Sequence, residues 1–274
     1  MAKSVALALG GGGARGLAHI PMLEAFDELG VKPVALAGTS MGAIFAAAYA
    51  SGLSAAEIRD YTLKTLADRR SLRSKLLSAR TGRLADLFSR MGNPVMLDGE
   101  AFCEAFLPST VALEFSQCVI PLTVVATDFH ARREKVMTSG PLRQAVAASM
   151  AMPGLIQPVR IDGQVLIDGA TTNPLPIEHL AGKADIIVGI DVAGAPTSAR
   201  DAAELGAWEA MFGALQIMQA AIVDEKAARY RPDILIRPNV GAFGALDFAL
   251  SSVIFRLAKP AKEELKRQLA ALLE

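Results

Sequence analysis

Apolar residues follow two rhythms along this chain. Short unbroken apolar runs bounded by glycines or polar turns read as buried strands. They occupy residues 4–9, 34–37, 119–127, 184–191 and 234–236. Pro121 puts the start of the third run near a strand's beginning or edge. Two shorter runs, 135–138 and 165–167, read as further strands, the second ending at Asp168-Gly169.

Helical spacing is as plain. Leu17, Ile20, Leu23, Phe26 and Leu29 share one helix face, and Gly30 closes that helix. A small, wholly apolar helix at 43–50 follows the second strand at once. Ser54-Ala55-Ala56-Glu57 is a capping box opening another helix. Residues 100–106 form a short helix after the Asp98-Gly99 turn. Pro141 sits at the first position of a helix running to Met150. Asn173-Pro174-Leu175-Pro176 is a turn into a short helix. Residues 204–229 are a long helical region, and 246–273 are mostly helix with a break near Pro260.

Strand, glycine turn, helix, strand is how a parallel α/β sheet begins. The expected fold is one α/β domain with a core at 5–191. A helical, basic insertion at 59–98 interrupts it. A mainly helical part at 192–274 packs on the same domain.

Residues 59–90 depart from the rest in charge. Nine basic residues face three acidic ones there, with leucines interleaved. A solvated face over packed leucines explains this. So does a lid or an interfacial patch meeting anionic lipid head groups.

Composition narrows the classes. The 274 residues are 52% hydrophobic and 20% charged, so the chain buries a core rather than staying disordered. Formal net charge is zero, which speaks against nucleic acid as a partner. Cys103 and Cys118 have neither metal-ligand spacing nor a disulfide framework, and suit a reduced cytoplasmic interior. The N-terminus lacks the features of a signal peptide. The uncharged stretch 33–56 is long enough to test as a membrane span, but glycine and serine interrupt it. Strand plus buried helix is the better reading. The expectation is a soluble protein touching membranes peripherally, through 59–90.

The chemistry centres on Gly38-Thr39-Ser40-Met41-Gly42. A serine between an apolar strand and a helix, flanked by glycines, is a nucleophile elbow. The glycines admit close backbone, and the helix N-terminus under the serine favours negative charge. Upstream, Gly11-Gly12-Gly13-Ala14-Arg15-Gly16 also joins a strand to a helix. As a dinucleotide fingerprint it needs an acid about 20 residues on. Gly38-Thr39-Ser40 stands at that place instead. No Gly-Lys-Ser/Thr follows, so it is not a Walker A loop. Close packing alone explains fewer glycines. An anion-binding loop remains, its N–H groups aimed at an oxyanion, with Arg15 holding the loop or binding an anionic substrate group.

Ser40 needs a base. His19 lies on the first helix, His130 in a polar loop, and His179 shortly after Asp168. The order Ser…Asp…His exists on paper, but the return to the site is short. Asp168, at a strand end before Gly169, is the other candidate. As a turn aspartate it needs no function at all.

Together these residues resemble the patatin-like phospholipase family, in its bacterial, neuropathy-target-esterase-like branch. The likeness rests on the glycine loop at 11–16, Gly38-x-Ser40-x-Gly42, and Asp168-Gly169-Ala170, in that order. The segments 148–153 and 173–176 support it. The resemblance implies a three-layer α/β/α fold with a mostly parallel central sheet. It implies hydrolysis of lipid esters, phospholipids or lysophospholipids, with no metal or cofactor. Ser40 would be the nucleophile and Asp168 the base of a dyad without histidine. Gly11, Gly12 and Gly13, with Ala14 and Arg15 backbone, would form the oxyanion hole. Acyl transfer by the same dyad, and a non-enzymatic membrane adaptor, are the rival functions.

Overall fold

The computed structural model describes residues 3–67, 80–81, 96–193 and 206–274. Residues 68–79 and 82–95, most of the expected basic insertion, lie outside the described residues. The first half of the core runs β1 (Val5–Leu9), a 3₁₀ stretch (Gly13–Ala18), α1 (His19–Leu29), β2 (Ala35–Thr39), α2 (Met41–Ala50) and α3 (Ala55–Ala67). A two-strand ribbon, β3 (Arg80–Thr81) and β4 (Met96–Leu97), precedes α4 (Gly99–Phe106). Then come β5 (Leu122–Asp128), β6 (Arg133–Met137), α5 (Leu142–Ser149), β7 (Val159–Ile161), β8 (Gln164–Asp168) and β9 (Ile186–Ile190). The chain closes with α6 (Ala207–Tyr230), β10 (Ile234–Ile236) and α7 (Ser251–Leu273).

One mixed sheet carries the fold. Strands β10, β9, β1, β2 and β5 lie side by side and parallel. The sheet then turns antiparallel, with β8 on β5, β7 on β8, and β6 on β5. The C-terminal part therefore contributes a strand to the same sheet as well as helices.

Alternation along the first two strands sorts the core into two layers. Val5, Leu7, Leu9 and Leu36 face α1, α2 and α7. Leu7, Leu9 and Leu36 are wholly buried, each worth roughly 1.5–3 kcal/mol. Ala6, Ala8, Ala35 and Ala37 face the other way. Their small side chains admit Leu175, Ile177 and Leu180 closely, with Val223 of α6 beside them.

The strands and helices expected outside the basic insertion form, with shifted ends; past Ala67 the described residues of that insertion pair as the β3–β4 ribbon rather than as helix. β2 runs on to Thr39, straight into Ser40. The first helix begins as a 3₁₀ stretch before α1, and Gly30 closes it at φ +66. The capping box at Ser54 and Glu57 is made in both directions. The expected break in the last helix is absent. Helix α7 has no break at Pro260 and is continuous from Ser251 to Leu273. Proline there loses one backbone hydrogen bond. Ile254 and Ala258 before it, and Leu265 and Leu269 after it, are fully buried in one core, which holds both halves in line. The short β7 was not legible as a strand, because only three residues pair in it.

Candidate active site

The elbow is built by contacts from three elements. Ser40 sits between β2 and α2 at φ 53, ψ −124, a conformation costing a non-glycine residue about 1–3 kcal/mol. Its N–H donates to Ser149 Oγ at 2.8 Å, and Ser149 Oγ donates to the Val125 carbonyl at 2.6 Å. Thr39 Oγ1 donates to the Asn173 carbonyl at 2.9 Å. Gly42 lets α2 press on the end of β1, since a Cβ there would lie 2.1 Å from the Leu9 carbonyl oxygen.

Strand β5 brings Asp168 to the serine. Thr39 pairs with Val125, and Asp168 pairs with Ala126. Strand β6 pairs with residues 124–128 of β5, so β2 and β8 share β5's opposite edge. They meet on it head-on, at consecutive rungs. Ser40 Oγ donates to Asp168 Oδ2 at 2.7 Å, while Asp168 Oδ1 accepts from the Ala170 N–H at 2.8 Å. Asp168 is held by its backbone too. Its N–H donates to the Ala151 carbonyl at 2.9 Å, and its carbonyl accepts from Thr127 Oγ1 at 3.0 Å. At Gly169 a Cβ would lie 2.1 Å from the Val125 oxygen, so only glycine lets the turn close on β5.

Both side chains are buried. Burial pushes the Asp168 carboxyl up to about 6, against the opposing pull of the Ser40 and Ala170 hydrogen bonds. A carboxylate poised there is a better proton acceptor near neutral pH than an ordinary one.

The glycine loop lies over this pair. A Cβ on Gly11 would stand 3.2 Å from Ser40 Cβ and 3.1 Å from Ala170 Cβ, so all three motifs meet at that point. Gly16 packs its bare backbone on Met41. Several loop N–H groups are committed to the fold. Gly11 donates to the Pro174 carbonyl, Ala14 to Ala245, and Arg15 to Gly12. The N–H groups of Gly12, Gly13 and Met41 have no acceptor among the described residues.

Arg15 turns inward. It is buried, and its Nε donates to the Gly12 carbonyl at 3.1 Å. Desolvation lowers it to about 10, with Asp191 acting the other way. Fixing that carbonyl also fixes the next N–H, because the two point oppositely across a trans peptide. The Gly13 N–H is thereby aimed away from Arg15. Asp191 pairs in turn with Arg237 at 2.9 Å, and Arg237 pairs with Asp224 on α6.

The three histidines lie elsewhere. His19 Nε2 bonds the Gly10 carbonyl at 2.7 Å. Full burial holds it down at about 4, hence neutral, so it props the base of the loop. The His130 and Ala131 N–H groups donate to Asp128 Oδ1, and His130 is exposed. His179 meets Glu134 at 3.2 Å. Glu134, Glu178 and His179 could each offer a metal ligand within 4.8 Å of one another. Asn173 Nδ2 already bridges both carboxylates, and Lys226 pairs with Glu178. Cations and amide donors thus occupy that cluster.

Ser149 is the site residue whose task could not be read from sequence. A helix serine gives no sign of partners at the distant elbow and on β5.

The profile of the patatin-like phospholipase family matches residues 7–181, which contain the glycine loop, Ser40 and Asp168. An uncharacterized NTE family protein of Mycobacterium tuberculosis is 34% identical over 228 residues, covering 82% of this chain and 59% of that protein. A Drosophila melanogaster neuropathy target esterase is 32% identical over 69% of this chain, and a lysophospholipase of Aspergillus niger 27% identical over 97%. The chain spans only 13% and 18% of those two proteins. Among solved structures, VipD from Legionella pneumophila superposes with a TM-score of 0.54 at 17% identity, covering 97% of this chain and 67% of VipD. That likeness is one of fold. With the family profile lying over the residues that meet at Ser40, the chain belongs to the patatin-like phospholipase family.

Proposed function

We propose that this protein is a serine hydrolase of lipid acyl esters working through Ser40 and Asp168. The observation that carries the reading is the 2.7 Å bond from Ser40 Oγ to a buried carboxylate. No imidazole is bonded to either group among the described residues. Ser40 Oγ attacks the ester carbonyl carbon as its proton passes to Asp168 Oδ2. The tetrahedral oxyanion is held by the free N–H groups of Gly12, Gly13 and Met41, at the positive end of α2. The carbonyl re-forms, and the alcohol or lysolipid departs with the proton from Asp168. Water then gives a proton to Asp168, attacks the acyl-serine, and releases the fatty acid. The proton returns to Ser40.

The name of the Aspergillus relative makes lysophospholipids the first substrates to try. The test is turnover of a short-chain p-nitrophenyl ester and a lysophospholipid panel by Ser40→Ala. Activity should fall to background, and a fluorophosphonate probe should no longer label the protein. Retained turnover in that variant overturns the reading. His130→Ala and His179→Ala should keep activity, and a collapse at His179 would restore a triad.

A further inference from the structure

Asn173 stands where the three motifs of the site meet. Its N–H donates to the Gly169 carbonyl at 2.8 Å, closing the turn that follows Asp168. Its carbonyl accepts the Thr39 hydroxyl at 2.9 Å, one residue before Ser40. The next carbonyl, of Pro174, accepts the Gly11 N–H at 2.9 Å. Two consecutive residues thus touch the acid turn, the elbow and the glycine loop.

The Asn173 side chain anchors this junction. Nδ2 donates to Glu134 Oε2 at 2.8 Å and to Glu178 Oε1 at 2.7 Å. Hydrogen bonds to ionised carboxylates are stronger than neutral ones. Both facing atoms are acceptors, so the amide presents its NH2 group to them. An aspartate there would repel the two acids, and a leucine would leave them without these bonds. Each acid is fixed by another element. Glu134 on β6 pairs directly opposite Thr127 of β5, whose hydroxyl donates to the Asp168 carbonyl. Glu178 lies on the 3₁₀ turn Ile177–Leu180 and pairs with Lys226 of α6.

The arrangement is costly. Asn173 is wholly buried, and its Oδ1 has no partner among the described residues. A buried acceptor left without a hydrogen bond destabilises a fold. A polar side chain kept at that cost beside a reacting pair calls for a task.

We propose that Asn173 is a positioning residue of the site: it sets the Ser40 hydroxyl against the Asp168 carboxylate by tying the turns that carry them to a side chain anchored between Glu134 and Glu178. The proposal rests on the reading of Ser40 and Asp168 as the reacting pair. Asn173 acts through main-chain bonds to Thr39 and Gly169, the neighbours of that pair, without bonding either reacting side chain. Without the amide, the junction loses both side-chain anchors and the two acids are left facing one another.

The experiment compares turnover of a soluble short-chain ester in the wild type and Asn173→Ala. The variant should lose about tenfold or more in kcat. Labelling of Ser40 by a fluorophosphonate should slow by the same factor, while KM changes far less. Wild-type kcat in a variant that melts cooperatively overturns the proposal, as does a loss carried by KM alone. If Asn173→Ala does not fold, the hydroxyl of Thr39 decides. Thr39→Val removes the group that Asn173 accepts and leaves the two acids undisturbed. It should show the same split, and Thr39→Ser, which keeps the hydroxyl, should recover most of the loss. Thr39→Val with wild-type kcat overturns the proposal. So does a Thr39→Ser as impaired as Thr39→Val, which would assign the effect to the methyl group packed toward Gly169. Ser40→Ala is measured beside them. If it is inactive while Asn173→Ala keeps full activity, this proposal alone falls. If Ser40→Ala still turns over the ester, the reading of the site falls and this proposal with it.

Discussion

Ser149 holds Ser40 from behind: the Ser40 N–H donates to Ser149 Oγ at 2.8 Å, and that hydroxyl donates onward to Val125 O at 2.6 Å. The serine therefore balances a strained residue against the central strand of the site. Ser149→Ala leaves a buried N–H and a buried carbonyl each without this partner, which costs about 1–3 kcal/mol. The expected result is a lower urea midpoint and a drop in kcat of about tenfold or more. KM for a soluble ester should change far less. Equal losses in kcat and KM would show that Ser149 shapes substrate binding rather than the elbow.

The raised Asp168 carboxyl sets a pH dependence. As the proposed base it must be ionised, so kcat/KM should climb with pH through about 6 and level above it. The limb should disappear in Asp168→Asn together with activity. A midpoint near an ordinary carboxylate, or one near 7 that vanishes in His179→Ala, would contradict the dyad.

The same group should weigh on stability. Its folded value lies above its unfolded one, so between about 4 and about 6 the folded protein binds more protons than the unfolded chain. This contribution favours folding at low pH and is lost as pH rises through about 6. Asp168→Asn should thus melt higher than the wild type at pH 8, by an amount on the order of 1–3 kcal/mol. The gap should shrink toward pH 5. A variant that melts lower at pH 8 would mean that the carboxylate's hydrogen bonds outweigh its desolvation.

Glycines in the motif and outside it should behave differently. Gly42→Ala forces a Cβ to within 2.1 Å of the Leu9 oxygen, so α2 must lift from β1 at a cost of about 3 kcal/mol. Gly182→Ala meets nothing within 4 Å and pays only for φ +72, about 1 kcal/mol. Thermal melting of the two variants checks this. Equal losses would mean that the elbow relaxes freely.

The parallel half of the sheet and its helices were legible because buried strands and amphipathic helices leave unmixed patterns. Residues 4–9 and 184–191 could hardly be anything else. The antiparallel half was harder. β6 is only partly buried and β7 has three residues, so neither carries a strong period. Ser40, Asp168 and the glycine loop could be named from their order and flanks. What could not be read was which loop amides stay free. That depends on acceptors such as the Pro174 and Ala245 carbonyls, remote in the chain. Continuity through Pro260 was hidden too, because packing against α1 overrides a local preference.

The meeting of β2 and β8 on one edge of β5 has a consequence for how such a chain can diverge. The spacing of Ser40 and Asp168 is counted along a single strand, between Val125 and Ala126. It does not depend on the length of anything between α2 and β5, where the basic segment is inserted. That stretch can grow, shrink or change character and leave the Ser40–Asp168 distance untouched. Adding or deleting one residue inside β5 would instead slide the two partners apart by a full rung and turn one of them to the opposite face. The chain is thus divided into a segment whose length the Ser40–Asp168 spacing ignores and a short ruler that tolerates no editing.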